Sequence, residues 1–425
     1  MHKHLIHKLP SQVLFIMCWI VYGASYIGRI NYSAALAGMI QDGTMLKNEA
    51  GLIGTAFFFC YGLGQLINGF LGDRLSPFIM VFLGLSGASL SNLFMSLNNK
   101  PVFLIIFWGI NGLFQSMLWS PILYILSSVL REDMQKKACL RITTCVPVGA
   151  IAAYLMSMLI LNYFHWKTLF AAAAIVLLAV LIGWTLTIII IRKYLVPKEY
   201  KQISTTGVKL SQSGKVRLIN LLLISGVLLM LLPAIMHGMI KEGVNVWVPT
   251  MLNELFSINA VFSLFLSMFL PLISVSGPYI ITALYFKLFN KNEMLSAVFA
   301  FLSALPPLIA LLFIDKLSVH VSIVLLSWVV TSMHGVNHVM VILIPVRFAL
   351  YRKTASITGL VNSIIYLGCA IASYGFGWIA QEWGWQSVIG CCMLITITGA
   401  LICLIIINRW TRFKEELKFQ SDKIV

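Results

Sequence analysis

Charge is scarce in this chain. Asp, Glu, Lys and Arg make up 10% of its 425 residues, against about 25% in soluble domains. That scarcity excludes an ordinary water-soluble globular protein. Acidic residues are the scarcer sign, 14 against 30 Lys and Arg. The eight cysteines all fall in or at the ends of apolar stretches, and none stands at metal-ligand spacing from a histidine. This excludes a disulfide framework or a zinc motif and leaves buried free thiols as the expectation. No nucleophile–base set is visible, and no extramembrane stretch is long enough to hold one. The chain is therefore expected not to be an enzyme and to use no cofactor and no metal.

Apolar sequence takes the place of charge. Hydrophobic residues make up 60% of the chain, and the mean hydropathy is +0.92. Apolar runs of about 20 residues, the length that crosses a bilayer as a helix, recur at 12–39, 50–72, 77–97, 101–129, 138–162, 168–191, 218–251, 260–286, 293–314, 319–349, 354–380 and 386–408. The expected fold class is an all-α membrane protein with twelve transmembrane helices. The basic, then apolar, N-terminus resembles a signal peptide. It runs on through Arg29 with no clear cleavage site, so it reads as the first span.

The formal net charge of +16 raises the question of nucleic acid, and the placement of the charges answers it. Nearly all Lys and Arg fall in alternate loops, with only Lys47, Lys100, Lys167 and Lys316 in the others. This is the positive-inside pattern. It predicts a multi-pass protein of the cytoplasmic (plasma) membrane, both termini cytoplasmic, with the lipid bilayer and not nucleic acid as its partner.

One loop is long: residues 192–217, "RKYLVPKEYKQISTTGVKLSQSGKVR", polar, basic and rich in Ser, Thr and Gly. It reads as a cytoplasmic linker between an N-terminal bundle, 1–191, and a C-terminal bundle with its tail, 218–425. The halves echo each other. The fifth span ends "NYFHWKTLF" and the eleventh "AQEWGWQSVI"; the fourth and tenth each lead into a short basic loop. Two six-helix pseudo-repeats are the sequence sign of a secondary transporter, with its site near the bilayer midplane.

Two cations sit deep in apolar spans, at matching places in the two halves: Arg29 in "YIGRINYSAAL" and Lys241 in "LLPAIMHGMIKEGVNVWVPTML". A central Arg costs about 2.5–3.5 kcal/mol to insert, so a compensating partner is expected. Two matched cations suit a small anionic substrate. Arg29 shares a helical stripe with Tyr22, Tyr26 and Ser33. Other spans supply Tyr61, Gln65 and Asn68; Asn111, Gln115 and Trp119; His237, Lys241 and Asn245; Thr331, His334 and His338; and Asn362 and Tyr366. In lipid such groups turn inward, to line a polar pathway or simply to bond across helices. Glu242, the one acid well inside a span, either offsets Lys241 or carries a proton, and the sequence leaves both open.

Several of these stretches resemble the organophosphate:phosphate antiporters of the major facilitator superfamily. The resemblance rests on "YGASYIGRINYS", "FCYGLGQLINGFLGDRLSP", "NGLFQSMLWSP", "KEGVNVWVPTML" and "GLVNSIIYLG" with "EWGW", and so spans most of the chain. It implies the major facilitator fold and phosphate gripped by a basic residue on the first and seventh helices, here Arg29 and Lys241. It also implies that Tyr22, Tyr26, Tyr61 and Tyr366 lie near the site. On the expectation of a phosphate exchanger, the inward-facing Gln65, Gln115 and Asn362 would join the tyrosines in orienting the substrate, and Asp73 and Arg74 would belong to a cytoplasmic gating loop. The chain departs from the pattern at Lys241, where the family has Arg, at Ile30, where it has a second basic residue, and at Val146, where the glycerol-3-phosphate transporter has His. Lys is a point charge, whereas Arg offers a planar bidentate fork.

The first expectation is therefore a monomeric carrier that exchanges a phosphorylated metabolite for inorganic phosphate by alternating access. The alternative is a proton-coupled symporter of a carboxylate such as a sugar acid, with Glu242, His334 or His338 coupling the proton. "RINYS" fits a D-R-x-N-x-S pattern of such carriers apart from Gly28. A second alternative is a transporter-like organophosphate sensor.

Overall fold

The structure, a computed structural model, describes residues 3–43, 45–71, 75–197, 218–351 and 353–422. Nearly all of them are helical, as a bilayer demands: without water, each backbone N–H and C=O must be satisfied inside its own segment. The membrane-length helices are α1 (Lys8–Gln41), α2 (Lys47–Asn68), α3 (Pro77–Leu97), α4 (Pro101–Val129), α5 (Glu132–Leu161), α6 (Trp166–Arg192), α7 (Val227–Leu255), α8 (Ala260–Lys287), α9 (Glu293–Leu311) and α10 (Val319–Val346), followed by a stretch over Ser356–Leu417. That last stretch is two helices. Gly384 adopts φ 80° and ψ 172°, a conformation outside the helical region. It separates α11 (residues 356–383) from α12 (residues 385–417), and the expected twelve spans are present. Open space surrounds Gly384, so the demand for glycine there is conformational.

One small sheet was not expected. Lys3–Leu5 (β1) pairs antiparallel with Leu195–Pro197 (β2), Lys3 opposite Pro197. Part of the stretch read as linker is therefore a strand, and residues 198–217 lie outside the described residues.

The chain groups into two compact units, residues 1–201 with 246–272 and residues 202–245 with 273–425. The seventh helix contributes to both. From Val246 onward it belongs with the first unit, where polar bonds hold it. Ser33 Oγ donates to the Val246 carbonyl at 2.7 Å, Gln41 Nε2 donates to Asn253 Oδ1 at 2.8 Å, and Lys47 pairs with Glu254 at 2.6 Å.

Within each unit the helices cross at glycines. In the first, a Cβ on Gly149 of α5 would run into the Gly23 carbonyl oxygen of α1, and one on Gly112 of α4 into the Phe57 carbonyl of α2. In the second, Gly368 of α11 lies in the same way on the Ile235 carbonyl of α7, and Gly277 of α8 on the Thr331 carbonyl of α10. A shift of six helices relates the helix pairs, though the second crossing carries its glycine on α8 where the first unit carries it on α4, so the internal repeat is one of close helix crossings. Association in lipid relies on such close packing, since burying apolar surface gains little there. The repeat extends to helix irregularities: α4 and α10 each contain a π-helical segment, at Ile125–Val129 and Val339–Leu343, a wider turn that often marks functional helices.

The second unit also buries a carboxylate. Glu293, at the start of α9, has no exposed surface. Arg347 Nε donates to its Oε1 at 2.7 Å, Lys414 Nζ to its Oε2 at 2.8 Å, Trp410 Nε1 to Oε2 at 2.9 Å and Tyr285 Oη to Oε1 at 2.9 Å. Four charged or polar donors around one buried acid meet the condition for a buried charge to be tolerated.

The glycine crossings generate a stability prediction. Gly149→Val or Gly368→Val forces two backbones apart and destabilises by about 1–3 kcal/mol or more, seen as a sharply lower melting midpoint of the detergent-purified protein. Gly375→Ala, in open space, leaves the midpoint unchanged.

Candidate functional site

The first unit houses its buried cation among rings. The Arg29 guanidinium carbon lies 5.2 Å from the Tyr61 ring centre, 5.4 Å from Phe57 and 5.9 Å from both Tyr26 and Phe58. Tyr26 is one turn before Arg29 on α1; Phe57, Phe58 and Tyr61 come from α2. The three α2 rings are almost wholly buried, and Arg29 is half-buried. Each cation–π contact is worth about 0.5–1 kcal/mol, more when desolvated. Four together match the roughly 2.5–3.5 kcal/mol insertion cost of a central Arg. The rings lower the cost of keeping the charge in the membrane.

The cage has a backing. Phe57 packs on Trp108 at 5.3 Å between centres, and Trp108 on Tyr32 at 5.2 Å. Tyr22 stacks on Trp119 at 4.5 Å and meets Tyr26 edge-on at 5.8 Å. Gly112 lets α4 lie directly against α2 beside Phe57 and so sets the position of that ring.

The backbone before Arg29 is fixed by amides. The Gly28 carbonyl accepts from Asn111 Nδ2 at 2.9 Å, from Gln115 Nε2 at 2.9 Å and, more weakly, from Asn92 Nδ2 at 3.3 Å. Asn92 Oδ1 in turn accepts from Asn31 Nδ2 at 2.7 Å. Gly28 packs closely here: a Cβ would come within 2.6 Å of Leu177 Cδ1 and 3.1 Å of Asn92 Nδ2, so a side chain would require those two to shift. The acid that the D-R-x-N-x-S pattern has before its Arg is absent.

The second unit holds the other cation. Lys241 Nζ and Glu242 Oε1 are 3.0 Å apart, their side chains 13% and 18% exposed. Successive helical residues point about 100° apart, yet both side chains are long enough for their tips to meet. One turn earlier on α7, His237 is fully buried and its Nε2 donates to Asn337 Oδ1 of α10 at 3.2 Å. His334 lies on α10 one turn before His338 and is half-buried. His338 is tied to α8, its Nε2 3.0 Å from Thr282 Oγ1.

The structure thus sorts the residues singled out in the sequence. Tyr26 and Tyr61 cage Arg29, and Tyr22 backs the cage. Gln115, read as a substrate ligand, has its amide nitrogen committed to the Gly28 carbonyl and to Asn111 Oδ1 at 3.2 Å. Gln65, one turn beyond Tyr61, and Asn362 on α11 are half-buried, and neither makes a hydrogen bond among the described residues. Tyr366 lies one turn beyond Asn362 and is half-buried as well. Asp73 and Arg74 lie outside the described residues. Phe57, Phe58 and Asn92 are the members that sequence reasoning missed. The run "FFFCYG" carried a signal for the first two, since Phe57 and Tyr61 share a helix face at i, i+4.

Comparison with known proteins agrees with this architecture. The model of the Major Facilitator Superfamily matches residues 18–373. A probable hexose phosphate transport protein of Chlamydia pneumoniae is 25% identical over 36% of this chain and 34% of its own length. The glycerol-3-phosphate transporter of Bacillus subtilis (strain 168) is 29% identical over 43% of this chain and 41% of its own. The chain thus spans well under half the length of these curated relatives. Among solved structures, a bacterial homolog of the human lysosomal transporter Spinster superposes with a TM-score of 0.69 at 12% identity, over 99% of this chain and 98% of that one, a likeness of fold. On the extent of the family match and the twelve helices in a repeated arrangement, the chain belongs to the Major Facilitator Superfamily.

Proposed function

We propose that the chain is a secondary transporter of a small organic anion in the plasma membrane, and that the anion is a phosphorylated metabolite exchanged for inorganic phosphate. The observation that carries this reading is Arg29, a permanent cation kept in the membrane by four aromatic rings on a backbone clamped by amides. Such a charge is costly in lipid, and binding an anionic substrate is the use for it that the sequence resemblance supports. The sequence resemblance and the names of the relatives supply the phosphate. Arg29 offers a planar fork to the oxyanion, and Lys241 adds a second cation. Gln65 and Asn362, with uncommitted amides, orient the remainder of the molecule, with Tyr366 beside Asn362. Asp73 and Arg74 serve the cytoplasmic gate, both termini are cytoplasmic, and the carrier works as a monomer by alternating access.

One observation favours the second reading, a proton-coupled symporter of a carboxylate. The Lys241–Glu242 pair at 3.0 Å is neutral while both are ionised, so a monoanion meets enough positive charge from Arg29 alone. A proton on Glu242 would release Lys241, with His334 and His338 nearby on α10 as relays. Against it stands Gly28, which leaves the acid of the symporter pattern unrepresented. A sensor differs from both in binding its organophosphate without flux.

Purified protein in phosphate-loaded liposomes is expected to take up labelled glycerol-3-phosphate or a hexose phosphate by counterflow; absence of exchange with every organophosphate tried rejects the first reading. Arg29→Gln is expected to abolish exchange while the melting midpoint holds, and retained exchange removes Arg29 from the site.

Glu242→Gln separates the two readings. If Glu242 only offsets Lys241, its removal tightens phosphate binding, on the order of tenfold for the loss of one close like-signed competitor. If Glu242 carries the proton, the variant still exchanges substrate but no longer concentrates it, and protonophore sensitivity disappears.

A further inference from the structure

A second basic feature lies outside the candidate site, where α12 leaves its apolar stretch. A cavity of about 450 Å³ opens there, lined among others by Ile224, Ile405, Asn408, Arg409, Arg412 and Glu416. All belong to the second unit. Its volume falls in the range of small-molecule sites, about 300–1,000 Å³.

The lining changes character along α12. Ile405 is 74% exposed, and beside it Ile224, Leu401 and Leu404 are 54%, 53% and 44% exposed. In a membrane helix, apolar side chains this exposed face acyl chains. Asn408 and Arg409 follow Ile405 within one turn, Arg412 comes a turn later and Glu416 a turn beyond that. At 1.5 Å per residue, Ile405 and Arg412 are separated by about 10 Å along the axis. An apolar wall therefore runs into a polar, doubly cationic shelf over the distance between a lipid's acyl chains and its phosphate.

The two arginines differ in commitment. Arg409 Nε donates to the Ile224 carbonyl at 3.3 Å, and its Nη2 donates to the Leu223 carbonyl. Those carbonyls end the short helix Leu218–Ser225, and a basic side chain on them is a normal helix stop. Gly226 then turns the chain with φ 79°, and Arg409 Cδ would lie 3.2 Å from a Cβ there. The guanidinium is thus held in place with N–H donors to spare, since it has five. Arg412 is exposed and makes no hydrogen bond or ion pair among the described residues. Glu416 lines the same cavity at the end farther from the apolar wall and opposes an anion.

We propose that this cavity is a binding site for an anionic phospholipid. Its phosphate sits between Arg409 and Arg412, its acyl chains lie along Ile405 and Ile224, and Glu416 faces the headgroup substituent. The loop charges expected from the sequence put this end of α12 in the cytoplasmic leaflet, which carries anionic lipid. The proposal is independent of what the protein transports.

Native mass spectrometry of the full-length protein, delipidated and offered phosphatidylglycerol or phosphatidylcholine, tests it. Phosphatidylglycerol is expected to be retained in preference to phosphatidylcholine. Arg412→Gln, which breaks no hydrogen bond or ion pair among the described residues, is expected to lower that retention about fivefold, the factor for one cation at an anionic surface. Glu416→Gln is expected to raise it, and Lys193→Gln, on the first unit, to leave it unchanged. Equal retention of the two lipids, or an unaffected Arg412→Gln variant, overturns the proposal. A fall with Glu416→Gln also overturns it, pointing to an ammonium headgroup instead. Displacement of the lipid by an equal concentration of inorganic phosphate overturns it in favour of a free-anion site.

Discussion

A guanidinium cannot discard its charge at any pH a cell experiences, and that fact governs the first unit. Arg29 stands in a helix that crosses the apolar part of a bilayer, where a charge is costly. The rings around it lower that cost by offering their negative faces to the guanidinium. The cage then sets conditions on its neighbours. Phe57 needs α4 close behind it, which Gly112 allows, and the turn before Arg29 needs three amides on a single carbonyl. A side chain at position 28 would press on the tips of Leu177 and Asn92.

The second unit solves the same problem differently. Lys241 has a carboxylate beside it at 3.0 Å, so the local field there depends on the protonation of Glu242. The buried surroundings of His237, bonded to Asn337, tie α7 to α10 directly behind this pair.

Much of this was legible in the sequence, and what was not has physical reasons. The spans were visible because a bilayer imposes one length and one composition, and the matched cations because an ionised group stands out in apolar sequence. Phe57 and Phe58 were hidden for the converse reason: in an apolar run a phenylalanine is indistinguishable from its neighbours until a cation is seen beside it. Gln115 was legible as polar and inward, but spacing cannot tell an amide that meets substrate from one that meets a backbone carbonyl. The alliance of residues 246–272 with the first unit depends on Ser33, Gln41 and Lys47 finding partners more than 200 positions away. Glu293 was obscured by its place at the edge of a span, where acids are usually solvated.

Glu293 bears on how the protein is made. A chain delivered to the membrane from its N-terminus inserts α9 while α12 is still unsynthesised. At that stage the carboxylate lacks Trp410 and Lys414, two of its four donors, and it lacks Arg347 until α10 has followed. A half-furnished acid of this kind stays at the aqueous edge, because burying it uncompensated costs several kcal/mol. Final seating of α9 therefore waits for α12. The second unit closes around its last helix, and a ribosome stalled before residue 410 leaves an unfinished bundle with a hydrated gap where the shell of Glu293 should be.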